Sequence, residues 1–376
     1  MAYDSVRNLS VLLGMRSNGV TYLWQWNGTT WQERRLDDPA PRSFHAMAYN
    51  PINQETILFG GHTTAPNGET WTRQDAHWTL RSSVGPSARW RHAMAYDIGR
   101  GRAVIFGGLN SSLVTLGDTW EWNGSTWTQR QIAGPSPREI HAMAYDAGRG
   151  VTVLFGGSNP TGFNGETWEY NGTAWTQRVV AGPSPRWGHA MAYDLSRGVT
   201  VLFGGHSASG NAGDTWEWNG ATWLQRVTAG PSPRNSHAMC YDAGRSVTVL
   251  FGGSTGGGET WEWDGTLWTQ RPILGPSPRV SHTMVYDGAR GFAVLFGGQV
   301  ATGNPDSQTW VLGVRCYPNC DQSTGTPLLT ANDFQCFLNK YAVGDAYANC
   351  DGSTGNPLLT ANDFQCFLNK YAVGCQ

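Results

Sequence analysis

The chain has 376 residues, more than one compact domain usually holds, so two domains, or one large repeat domain with an appendage, are expected. Its formal net charge of −2 gives no electrostatic reason for nucleic acid or an anionic membrane as partner, and no stretch is apolar enough to span a bilayer. Glycine (49 residues) and tryptophan (19) point instead to many tight turns around a core of aromatic rings, which suits an all-β repeat protein.

The opening Met1-Ala-Tyr-Asp4 has neither the basic n-region nor the apolar h-region of a signal peptide. It matches the middle of a repeat, so the true N-terminus is expected to be missing or removed. From there a pattern recurs every 45 to 49 residues. A clear copy runs Gly182-Pro-Ser-Pro-Arg186, His189-Ala-Met-Ala-Tyr-Asp194, Arg197 to Gly205, then Asp214-Thr-Trp-Glu-Trp218 and Thr222-Trp-Leu-Gln-Arg226. Four short β-forming runs bounded by turn signals predict a four-stranded antiparallel meander, strands A to D. Strand A alternates large and small: His189, Met191 and Tyr193 on one face, Ala190 and Ala192 on the other. One meander cannot bury both faces, so the copies are expected to pack as propeller blades, the bulky face of one on the flat face of the next.

Unit one (Ala2–Arg35) has Leu13-Gly14 where later units carry a glycine doublet, units two to six are complete, and unit seven stops after strand C at Leu312. Seven blades are expected, with six as the alternative. The doublets, at Gly60-Gly61, Gly107-Gly108, Gly156-Gly157, Gly204-Gly205, Gly252-Gly253 and Gly297-Gly298, each follow a Phe. With the Pro/Ala-Arg-x-x-His lead-in and the downstream tryptophans, this pattern resembles the kelch repeat, and the resemblance covers essentially all of residues 2–312. It implies a β-propeller like the central domain of galactose oxidase, over residues 1–314, whose D–A and B–C loops share the face where partners bind.

Those loops are also where the repeats differ. Seventeen of the tryptophans occupy template positions on strands C and D and belong to the core. Trp90 and Trp187 do not: they fall between the template arginine and the strand A histidine, a slot that otherwise reads Ser43-Phe44, Glu139-Ile140, Asn235-Ser236 and Val280-Ser281. An aromatic ring off the template, beside Arg91 and Glu139, can stack on a sugar or anchor a peptide; it can equally plug the channel mouth. His62 and His206 each follow a doublet and open a B–C loop, and a metal role for the pair has little support. The expected ligand-binding set is Phe44, Trp90, Arg91, Glu139, Trp187, Asn235, His62 and His206. His45, His92, His141, His189, His237 and His282 are template members, expected as satisfied core histidines. The acids before Thr-Trp (Glu69, Asp118, Glu166, Asp214, Glu259) and the arginines Arg42, Arg89, Arg138, Arg186, Arg234 and Arg279 repeat around the ring, so structural pairing is expected rather than an acid–base couple distinguished by environment. Of 26 basic residues only Lys340 and Lys370 are lysines; a need for arginine's planar fork, or a GC-rich genome, accounts for that. Galactose oxidase needs histidine and tyrosine copper ligands and a cysteine cross-linked to a tyrosine; here Cys240 replaces a small alanine of strand A and reads as packing. No catalytic residue and no propeller cofactor are expected.

The tail, residues 315–376, holds two copies of a 30-residue unit in which Ser323–Gly344 and Ser353–Gly374 differ only at Thr326 against Asn356. Each ends in an amphipathic helix, with Phe364, Phe367, Leu368 and Tyr371 on one face. Six cysteines in so short a segment point to disulfides and an oxidising compartment. Repeat symmetry pairs Cys320 with Cys336 and Cys350 with Cys366, leaving Cys316 and Cys375 to clasp the ends, although six cysteines allow fifteen connectivities. Alternating oxygen side chains before each helix resemble the duplicated calcium motif of dockerins. The resemblance implies calcium held by Asn319, Asp321, Ser323 and Asp333 in one copy and Asn349, Asp351, Ser353 and Asp363 in the other. The loop is longer than the usual twelve residues and closes on Asp rather than Glu, which implies weak, extracellular-type sites; otherwise Asp333 and Asp363 are first-turn helix acids.

The expected function is a secreted, non-catalytic recognition propeller at the cell surface or outside the cell, binding a glycan or a protein through its D–A/B–C face. The tail is expected to dock it to a cohesin-like or cell-surface protein. The alternatives are an extracellular polysaccharide-active enzyme, galactose-oxidase-like or other, and a purely structural assembly protein.

Overall fold

The computed structural model of the chain describes residues 38–312 except 75–76, 227–228, 256 and 274; of the preceding segment it gives four backbone strands, and beyond residue 312 it describes Gln335, Leu338 and Asn339. Two compact units are present, Met1–Leu312 and Gly313–Gln376.

In the larger unit each repeat forms its own antiparallel sheet in chain order A-B-C-D. In unit five these strands are Ala190–Asp194, Val199–Phe203, Thr215–Trp218 and Trp223–Arg226, with Ala190 opposite Phe203 and Trp218 opposite Trp223. Unit one is likewise a four-stranded sheet, from Ala2–Asp4 to Trp31–Arg35. Unit seven has three strands, ending with Thr309–Leu312.

The size alternation of strand A packs the sheets as the sequence leads one to expect. Ala144, Val153 and Phe155 of unit four meet Met191, Leu202, Trp218 and Trp223 of unit five, and all seven are buried. Burying an aliphatic or aromatic side chain of this size contributes about 1.5–3 kcal/mol, so each interface is a core in its own right. Indole N–H groups are paired across it: Trp223 Nε1 donates to Thr167 Oγ1 of the neighbouring sheet at 2.8 Å, and Trp218 Nε1 to Glu169 Oε1 at 3.0 Å.

Contacts between successive A strands pass through units two to seven and then return from Thr283–Asp287 to Ala46–Asn50. Trp78 Nε1 donates to Thr309 Oγ1 (3.0 Å), the Ala289 N–H donates to the Tyr49 hydroxyl (3.1 Å), and Val285, Val294 and Phe296 share a core with Met47, Leu58 and Trp71. Among the described residues the cycle therefore comprises six sheets, the alternative count rather than the expected seven, with unit seven meeting unit two directly.

The glycine doublets mark where neighbouring backbones come closest. Gly107 and Gly108 have φ of 66° and 95°, a region that favours glycine. A Cβ on Gly107 would stand 2.4 Å from the Arg138 carbonyl oxygen, and one on Gly108 2.6 Å from that of Trp90. The Gly108 N–H donates to that Arg138 carbonyl at 2.9 Å. The doublet is thus a seam between sheets as well as the end of strand B.

Candidate functional site at the mouth of the ring

Each lead-in brings one residue to the axis in a left-handed conformation: Phe44, Arg91, Ile140, Gly188, Ser236 and Ser281, with φ between 52° and 67°. Five of these are not glycine, so the conformation carries a cost of about 1–2 kcal/mol at each. The offsetting gain is a closed belt of backbone hydrogen bonds. The N–H of Arg91 donates to the carbonyl of Phe44, Ile140 to Arg91, Gly188 to Ile140, Ser236 to Gly188, Ser281 to Ser236 and Phe44 to Ser281, all between 2.7 and 3.0 Å. This belt encircles the central channel at its mouth.

Behind the belt lies a small chamber of about 130 Å³ lined by the six template histidines. Each imidazole stacks edge-on against a strand B phenylalanine of the preceding sheet, as His92 does on Phe59 at 5.3 Å and His45 on Phe296 at 5.4 Å. Burial pushes their protonation far down, to about 3 at His92, His189, His237 and His282, with the nearby template arginine pushing in the same direction. As expected of core members, all six are buried. His45 Nε2 shares a hydrogen bond with Thr283 Oγ1 (2.6 Å), and at each ring a hydrogen bond to the backbone of the strand B phenylalanine, such as Phe59 at His92, opposes the downward shift. They are neutral packing groups, and among the described residues no three His, Cys, Asp or Glu side chains gather as a metal site.

In front of the belt a cavity of about 430 Å³ opens among the lead-ins and B–C loops. Five of the eight expected ligand-binding residues line it: Phe44, Arg91, Glu139, Trp187 and Asn235. The other three stand against its walls. Trp90 packs against Phe44 (centroids 5.4 Å apart) and His62 (4.8 Å), and His206 packs against Trp187 (5.2 Å). His62 and His206 thus sit against different tryptophans rather than forming a metal pair. Ser158, Ser254 and Gln299 also line the cavity and were not among the expected residues. All three directly follow a doublet, the register that singled out His62 and His206, so the signal was present in the sequence.

The two sides of the cavity differ in chemistry. On one, the Arg91 guanidinium lies 4.0 Å from the Trp90 ring centre and 5.0 Å from that of Phe44, while its Nη1 donates to Glu139 Oε2 at 3.0 Å. That cation is paired with a carboxylate and lies close to both rings. On the other, Asn235 Nδ2 donates to Asn211 Oδ1 (2.7 Å), Ser236 Oγ donates to Asn235 Oδ1 (2.8 Å), and Asn211 also bridges to His206 Nδ1 (2.9 Å) and Ser254 Oγ (3.3 Å). The mouth therefore offers aromatic faces together with a preorganised set of amide and hydroxyl groups.

The repeated ion pairs fall outside this cavity, as their ring-related spacing requires. Arg186 is fully buried; its Nη1 and Nη2 donate to both oxygens of Asp214 (2.6 and 2.9 Å) and its Nη1 also to the Gly204 carbonyl (2.9 Å). Asp214 in turn accepts from Trp216 Nε1 at 2.7 Å, and these donors hold its carboxyl below the usual range against the opposing effect of burial. In unit seven the two roles divide, Asp306 taking Arg279 and Gln308 taking Trp310. Cys240 is buried in the interface between units six and seven, and burial pushes its thiol far up.

No family model matches the chain, and no curated protein matches it. A solved structure titled "Structure of YjhT" superposes with a TM-score of 0.59, covering 74% of this chain and 96% of that one at 14% identity. The fold is a β-propeller. At that identity the likeness carries the fold alone, and the propeller's activity has to be argued from its own mouth.

The expected calcium ligands and the six tail cysteines lie outside the described residues. Of the smaller unit the described residues Gln335, Leu338 and Asn339 are α-helical, and Gln335 Nε2 donates to Asn339 Oδ1 at 3.0 Å. Among the described residues no helix is long and apolar enough to cross a membrane.

Proposed function

We propose that the protein is a secreted, kelch-type recognition propeller that binds a glycan, without turning it over, in the cavity at the ring mouth. The observation that carries this reading is the pairing, in one cavity of about 430 Å³, of aromatic faces (Phe44, Trp187) with a fixed amide and hydroxyl network around Asn235. Sugars present apolar C–H faces and rims of hydroxyls, so a site with both surfaces suits them better than a purely apolar pocket would. Glu139 is the one carboxylate among the described lining residues, and it is bound to Arg91, which favours binding over an acid–base couple of two carboxyls.

Trp187→Ala is expected to lower affinity for hits on a glycan array by about tenfold or more, a loss of the size that truncating a buried aromatic anchor brings. Asn235→Ala is expected to lower it less. Product formation from a bound glycan would replace this reading with an enzymatic one, and an array with no hit would remove it.

The tail is proposed to dock the propeller to a cohesin-like or other surface protein, through two weak calcium sites and a disulfide frame. Removing calcium with a chelator is expected to lower the unfolding temperature of the full chain's tail transition, since an ion bound only by the folded state stabilises it. Asp321→Ala combined with Asp351→Ala should reproduce that loss and abolish the response to added calcium. An unchanged transition would rule the ions out.

A further inference from the structure

The mouth does not end at its cavity. Trp187, on the cavity wall, packs against His206 with centroids 5.2 Å apart, and His206 meets Phe163 at 6.2 Å and an interplanar angle of 79°. Phe163 is 40% exposed, a large ring turned to solvent on the returning strand of a short hairpin loop. That loop is held in place: Ser158–Asn159 pairs with Gly162–Phe163, Ser158 opposite Phe163, and Ser158 itself lines the cavity. The Asn159 side chain closes the turn by accepting from the Thr161 N–H (2.9 Å) and hydroxyl (2.6 Å). Three rings from two neighbouring units therefore run outward from the cavity, each about one sugar residue from the next. The polar groups follow the same line, because His206 Nδ1 and Asn235 both bond Asn211 Oδ1.

Resting on the glycan reading above, we propose that the ligand is an extended, neutral polysaccharide chain rather than a single sugar or a chain end. It lies with one residue in the mouth and the following residues along His206 and Phe163. Neutrality follows from the lining, whose described charges are Arg91 and Glu139, already paired at 3.0 Å. Even packed edge-on against His206, Phe163 leaves two-fifths of its surface open to solvent, and a sugar face would cover it.

The test titrates the full chain with cello-, xylo- and manno-oligosaccharides from monosaccharide to hexasaccharide. Affinity for the ladder that binds is expected to rise by about tenfold or more between disaccharide and tetrasaccharide. In Phe163→Ala that gain should largely disappear, and Phe163→Trp should restore it; thermal unfolding checks that both variants keep the parent's fold. Binding that does not grow with length, or the same gain in Phe163→Ala as in the parent, overturns the extended-chain inference and leaves the glycan site standing. Binding of an array glycan but of none of these neutral ladders overturns it too, whereas no binding of any saccharide overturns both.

Discussion

Mild acid is expected to unfold the propeller before its carboxylates titrate. Six histidines surround the channel; burial pushes protonation down to about 3 at His92, His189, His237 and His282, and well below the usual range at His45 and His141, against about 6.5 in an unfolded chain. Between those values the unfolded state takes up protons that the native ring excludes, so stability falls as pH drops below about 6.5 and is regained above it. Each histidine contributes on the order of 1 kcal/mol per pH unit once the pH is below about 6. Six together rival a net folding stability of about 5–15 kcal/mol within two or so units. Paired carboxylates such as Glu69, Asp118, Glu166 and Asp214 are also depressed, and their stabilisation is lost in the same direction, but only as the pH falls below about 4. Urea midpoints measured between about pH 7 and pH 5 therefore isolate the histidines. A steep decline there is expected, with a shallower slope in His141→Gln, which removes one titrating group; a flat profile would show that the imidazoles reach water or a counter-charge.

How much of this was legible without coordinates depends on whether a feature repeats. The strand A alternation in His189–Asp194 specified which faces meet, and Phe155 against Met191 and Trp223 bears it out. The blade count was not legible. Thr283–Asp287 packs on Ala46–Asn50 through the same residue types that join every other pair of sheets, so local sequence reads identically in a ring of six or seven. Closure is a non-local contact, visible only in details such as the Ala289 N–H on the Tyr49 hydroxyl. At the mouth the opposite held: departures from the template, such as Trp187 and Asn235, stand out in the sequence and line the cavity. Even there the neighbour decides the outcome. Trp90 is covered by the next side chain, Arg91, at 4.0 Å, whereas Trp187 is followed by Gly188, which has none to cover it, and its ring lines the cavity. Ser158, Ser254 and Gln299 were missed for a different reason: serine and glutamine after a doublet look like ordinary loop residues unless the register is followed as strictly as it was for histidine.

The largest single loss of stability is expected at Arg186. Its side chain is buried, with Nε donating to the Ser184 carbonyl (3.0 Å), Nη2 to Ser184 Oγ (2.9 Å), and the remaining donors to Gly204 and Asp214. Its backbone carbonyl meanwhile accepts from Gly157 of the preceding sheet at 2.9 Å, so one residue ties its own B and C strands together and joins them to the neighbour. Arg186→Ala leaves Asp214 with Trp216 as its side-chain donor, strips Gly204 and Ser184 of theirs, and opens a void. Truncating one partner of such a pair costs about 3–5 kcal/mol, a large part of a domain's stability. Arg186→Lys keeps the charge but replaces a planar fork by a point donor, and cannot reach Asp214, Gly204 and Ser184 together. The expected order of urea midpoints is parent, then Lys, then Ala. Arg186→Met with Asp214→Asn should recover part of the Ala loss, because the uncompensated carboxylate is gone. A Lys variant as stable as the parent would mean that charge alone holds the clasp, and the scarcity of lysine in the propeller would then need no structural explanation.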